Sequence, residues 1–164
     1  MEIINIKKLV SIAKKFHSQR KKWHFHMLTP NCIFNKKDKH AFMLENIEYK
    51  EIFIVYSDKR YMKEGKELVK LLYGESIIEE KRLKSKITNK RVLRILKKER
   101  RLNKLGIEWH HHLLFPECIF NKHKGKWCIL FENPENNEMI ESISKSEPIK
   151  NLRAIETLYY QQKR

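Results

Sequence analysis

Apolar residues recur in two rhythms along this chain, and the switching between them lays out its elements. In 4–18 (INIKKLVSIAKKFHS), Ile6, Leu9, Val10, Ala13 and Phe16 fall three or four apart with lysines between them. That spacing predicts an amphipathic helix with a basic outer face. Residues 23–28 then alternate in strand fashion until Pro30 interrupts them, and 32–35 (CIFN) reads as a second short strand. The polar NKKDK that follows is a hairpin turn into a third strand, HAFMLE. Residues 51–57 (EIFIVYS) are β-branched and aromatic enough to predict a strand buried on both faces. Ser57 and Asp58 offer N-cap chemistry for a helix through about Leu72, with Gly74 as its stop.

The second half repeats that order. Thr88 or Asn89 can cap a helix through about Lys104, stopped by Gly106. WHHHLL, CIFN and KWCILFE follow as strands with NKHKG as the turn, and 138–144 (EMIESIS) makes a weaker fourth strand. A final helix from Pro148 turns Leu152, Ile155, Leu158 and Tyr159 inward. The repetition is also literal. Residues 23–36 (WHFHMLTPNCIFNK) and 109–122 (WHHHLLFPECIFNK) agree at ten of fourteen positions at a constant offset of 86. Such self-similarity marks a duplication. It predicts an α+β fold of two tandem homologous modules, 1–78 and 79–164, joined near 75–87 and packed about a pseudo-two-fold axis. Each module is a helix, a small antiparallel sheet of three or four strands, and a helix. Modules this small bury a modest share of their surface, so the halves are expected to lean on each other.

Composition narrows the setting. The longest apolar run, Ile52 to Tyr56, is far short of the roughly 20 residues of a membrane helix. An N-terminal segment studded with lysine lacks the apolar stretch of a signal peptide. With three cysteines, an odd number, these features predict a cytoplasmic protein with reduced thiols and no membrane partner.

The net charge of +16 points to a polyanion partner because it is concentrated. Residues 81–104 hold twelve Lys or Arg and one acid, Glu99, a balance of 12 − 1 = +11. An AT-rich coding sequence inflates lysine but does not place five arginines in one segment. Lys90, Arg91, Arg94, Lys97, Lys98, Arg100, Arg101 and Lys104 are the candidate phosphate contacts, and the expected partner is nucleic acid, RNA or DNA. The lysines within 7–22 add to that surface. The helix–three strands–helix order resembles the plan of double-stranded-RNA-binding domains, which grip a duplex by shape and phosphate contacts. Their lysine-rich start of the last helix is absent here.

The duplicated segment carries the other candidate chemistry. Strand residues two apart share a face, so His24 and His26 can approach one ion together, as can His110 and His112. Cys32 and Cys118 follow six residues after the second histidine of each pair. Two imidazoles and a thiolate suit zinc or another divalent metal. The competing readings are a shared core, in which the cysteines act as small hydrophobes, and direct catalysis. His110, His111 and His112, followed by Pro116 and Asn121, resemble the general-base region of HNH-type nucleases. That resemblance implies a histidine that activates water and a metal that stabilises the phosphate oxyanion. Phe25 stands where the second copy has His111, so a nuclease would use the second copy alone. Four glycines, none in a G-x-G pattern, leave no phosphate loop.

Overall fold

The computed structural model describes residues 1–73 and 89–146. The chain divides into two compact units, Met1–Glu75 and Ser76–Arg164, each a mixed α+β structure. The expected final helix from Pro148, the stop at Gly74, the cap at Thr88 and the cations of 81–86 lie outside the described residues.

In the first unit, strand β1 (Glu2–Ile3) leads into helix α1 (Ile6–Ser18). Strands β2 (Trp23–Leu28), β3 (His40–Asn46) and β4 (Glu51–Ser57) and helix α2 (Met62–Tyr73) follow. The sheet order is β1-β4-β3-β2; β2, β3 and β4 form an antiparallel meander, and β1 adds to β4 in parallel. A two-residue strand has no periodicity to read, so β1 was invisible in the sequence. Asn5 starts α1 by accepting from the Lys8 amide at 2.9 Å. The helix buries Leu9, Ala13 and Phe16 against Trp23, Phe25, Phe42, Leu44, Val55 and Leu68. Each large apolar side chain in that layer contributes about 1.5–3 kcal/mol through burial.

Three expectations are corrected here. Cys32–Asn35 is a turn, closed by the Asn35 amide on the Cys32 carbonyl at 2.9 Å. β4 is only partly buried, with Ile54 and Val55 inside and its other residues half-buried or exposed. The helix expected from Ser57 begins five residues later at Met62, and the Ser57 hydroxyl accepts from the Lys59 amide in the bend between them.

In the second unit, helix α3 (Lys90–Lys104) precedes β5 (His110–Leu114), β6 (Trp127–Asn133) and β7 (Glu138–Ser144), an antiparallel meander in sequence order. The Asn89 side chain caps α3 by accepting from the Arg91 and Val92 amides. Gly106, at φ +80°, ends it: its own amide reaches Asn103, and the Ile107 amide reaches Leu102. Val92 and Leu96 pack with Trp109, Leu113, Ile129 and Phe131. Cys118–Asn121 forms a turn, as Cys32–Asn35 does, with the Asn121 amide on the Cys118 carbonyl at 2.9 Å. No helix among the described residues is long and apolar enough to cross a membrane. None of the three cysteines is in a disulfide.

Candidate metal centres

In the first unit, β2 turns Trp23, Phe25 and Met27 toward the helices. His24, His26 and Leu28 therefore take the opposite face. Antiparallel register sets Glu45 directly across from His24. The His24 Nε2 lies 2.8 Å from the His26 Nε2 and 2.9 Å from the Glu45 carboxylate. The two rings stand edge-on, with centroids 4.7 Å apart.

The second unit repeats the arrangement with Glu132 opposite His110. The Nε2 atoms of His110 and His112 are 3.0 Å apart, and each is 2.8 Å from the same oxygen, Oε1 of Glu132. His110, His112 and Glu132 are 3%, 5% and 3% exposed.

Three donor atoms in so small a triangle are poorly served by hydrogen bonds alone. An imidazole N–H points along one line only. If both Nε2 atoms donate to Glu132, two N–H groups lie side by side; if one does, the lone pair of the other faces the same oxygen; if neither does, two lone pairs crowd a carboxylate. A single cation satisfies all three donors at once. Bonds of about 2.0–2.1 Å to one ion would meet donors at these spacings at angles of about 90°, and a tetrahedral zinc would spread them to about 3.3 Å. Electrostatics agree. Burial, opposed by the Glu132 hydrogen bond and helped by the neighbouring His110, lowers the His112 pKa to about 4, so its ring is neutral and able to ligate near pH 7. Burial alone would raise the Glu132 carboxyl, but the hydrogen bonds from His110 and His112 together hold it well below the usual carboxylate range. These buried groups could hold a metal ion. Two imidazoles and a carboxylate suit zinc, and also iron(II) in an open-sided site.

The structure therefore brings together His24 with His26, and His110 with His112, and adds a carboxylate to each pair. Cys32 and Cys118 are buried in the turns that follow, and each is among the buried residues that could hold a metal ion. Asn121 serves its turn. Its amide donates to the carbonyls of Phe115 and Lys126, each at 2.7 Å, and its oxygen accepts from the His123 amide. Asn35 does the same work with Thr29, Lys39 and Lys37. His111 faces away from His110 and His112, toward α3, where its Nδ1 lies 2.8 Å from the Glu99 carboxylate.

Glu45 and Glu132 were missed from the sequence, and the reason is a shift in offset. The hairpin turn of the second unit is one residue longer, so beyond it equivalent residues stand 87 apart instead of 86. Glu45-Asn46 and Glu132-Asn133 are then the signal: two matched residues a few positions after the turn.

On α3 the candidate phosphate contacts form one face. Lys90, Arg94, Lys97, Arg101 and Lys104 recur four and three apart and are exposed, while Val92, Leu96 and Glu99 are buried opposite them. Arg91 and Lys98 flank that stripe, and Arg100 is half-buried beside it. Lys98 lies over the Trp109 ring at 5.7 Å, and Arg91 donates to the Glu141 carbonyl. Among the described residues the five cations of the stripe make no ion pair, whereas on α1 Lys8 and Lys14 are tied to Glu2 and Glu67. Trp23 and Trp109, which would have to face outward to stack on bases, are buried in the cores. Compared with known proteins, the chain matches no family model, no curated protein and no solved structure.

Proposed function

We propose that this protein binds nucleic acid through the α3 stripe and uses its two His–x–His–Glu groups to hold divalent metal, zinc by donor set, as a structural element. The observation that carries the first part is the segregation on α3: five exposed cations on one line, with the buried residues opposite. Like charges at that spacing repel by a few tenths of a kcal/mol per pair, and a row of phosphates relieves the repulsion. The two units are read as copies of one duplicated module, with the phosphate-binding role carried by the second copy, whose exposed helix cations line up in one stripe. A cytoplasmic setting, where thiols stay reduced, belongs to this reading.

Binding to labelled duplex and single-stranded probes across a salt series tests it. Replacing Arg94, Lys97, Lys98 and Arg101 by Ala should weaken binding to every sequence alike. It should also flatten the salt slope by about 3–4 on duplex DNA. An unchanged slope would remove α3 from the interface.

A metal-dependent nuclease of the second unit is the alternative, favoured by one observation: two imidazoles and a carboxylate of that unit converge, a combination that catalytic zinc sites use. Against it stand the burial of His110, His112 and Glu132 and the engagement of His111 with Glu99 and of Asn121 with its turn. Cleavage of the bound probe that requires metal and is lost in His110→Ala would reverse this order.

A further inference from the structure

The second unit carries a further donor group that the first lacks. His123 on the β5–β6 turn, Cys128 on β6 and Glu141 on β7 place an imidazole nitrogen, a sulfur and a carboxylate oxygen within 4.8 Å of one another. His123 Nε2 and Glu141 Oε2 are already 3.2 Å apart. We infer that these three residues form a separate, solvent-accessible site for a thiophilic divalent cation of the zinc class.

Four observations support it. The turn that presents His123 is fixed on both sides. The His123 amide donates to Asn121 Oδ1 at 2.9 Å, the Lys126 amide returns to the His123 carbonyl at 3.0 Å, and Gly125 supplies a φ of +71°. The charges close as well: coordination replaces the Cys128 proton, which leaves to solvent, and thiolate plus carboxylate then neutralise a divalent ion.

Third, the site is distinct from the His110–His112–Glu132 group. Cys128 and Glu132 share a face of β6 four residues apart, about 13 Å along a strand, too far for a bridged metal pair. Fourth, access differs: Glu141 is exposed and His123 half-buried over a buried Cys128, whereas that group is buried throughout. Register shows the site is peculiar to this unit. Cys128 pairs with Leu114 as Ala41 pairs with Leu28, and Glu141 pairs with Leu130 as Ile54 pairs with Met43. The first unit thus has alanine and isoleucine where the second has two ligands. A softer, more open site of this kind exchanges its ion faster than the buried groups.

Cobalt(II) titration of the metal-free full chain, followed by absorption, tests the inference, because a thiolate–cobalt bond adds a near-ultraviolet charge-transfer band. The wild type should take up one equivalent more than Cys128→Ala and show a stronger band. His123→Gln, on the turn, should weaken that equivalent at least ~10-fold and leave the rest unchanged. Equal stoichiometry and equal band intensity in wild type and Cys128→Ala would overturn the assignment. If Cys128→Ala does not fold, His123→Gln and Glu141→Gln decide the matter, and unaltered cobalt uptake in both would overturn it equally. Loss of the buried groups in the His110→Ala, His112→Ala variant removes different equivalents, so the two assignments fail separately.

Discussion

Glu99 is the lone acid in the basic segment, and its place in the fold explains why it is there. It sits at 3% exposure on the inner side of α3, with its carboxylate on His111 Nδ1. At the offset of 86 its counterpart is Ala13, and that of His111 is Phe25, which stacks on Phe42 with ring centroids 5.3 Å apart. One unit fills this place with an aromatic ring over a small residue, the other with a hydrogen-bonded histidine–glutamate pair. Removing one member of a buried pair is costly while replacing both is not. Glu99→Ala alone should therefore destabilise the chain by about 3–5 kcal/mol. The double variant His111→Phe, Glu99→Ala should recover most of that loss, as read from denaturant unfolding of all three variants. A double variant no more stable than the worse single would mean that the pair is not the reason for either residue.

At the level of elements, the two helices before the meanders end in the same way with different residues. α3 closes with Gly106 at φ +80°, while α1 closes with Arg20 at φ +55°, its equivalent at the offset of 86. Both make the paired backbone bonds of this helix end, Arg20 to His17 and Lys21 to Phe16 in the first unit. A side chain in the left-handed region is strained, so Arg20→Gly should stabilise the first unit by about 0.5–1 kcal/mol, net of glycine's extra chain entropy. A lower unfolding midpoint would contradict this. The same elements show what was legible beforehand. The helices, the meander strands and the turns after Asn35 and Asn121 announce themselves through period, caps and polar runs. CIFN misled because its β-branched and aromatic residues look like a strand. What makes it a turn is backbone bonding around Cys32 and Cys118, held by Asn35 and Asn121, which no local pattern displays. The histidine pairs were readable from spacing; their carboxylates were not, because cross-strand register decides them and a one-residue longer turn hides the match.

Over the whole molecule, the net charge of +16 is unevenly neutralised: Lys8 and Lys14 of α1 have acidic partners, and among the described residues the five cations of the α3 stripe have none. Removing metal and neutralising the stripe should thus act on different properties. A chelator strong enough to strip the histidine groups should lower the thermal midpoint of the full chain. With free metal 100-fold above its Kd, the stability linked to each site is about 2.7 kcal/mol. Phosphate affinity measured well below that midpoint should hold, because the proposed function places it on α3. A midpoint indifferent to chelation would refute the structural role of the metal.

The pairing of His24 with Glu45 and of His110 with Glu132 has a consequence for assembly. β2 and β5 are border strands, each hydrogen-bonded on one side within its own sheet. A strand that slides by one residue turns all its side chains over, which would send both imidazoles to the helix side and their neighbours to the carboxylate. Only one alignment lets two imidazoles and a carboxylate meet at a point. An ion captured there rewards that alignment alone, and it pins the strand at which stray chains would otherwise add. Scarcity of metal during synthesis would then show first as mispaired, aggregating chains, before any loss of binding by those that fold.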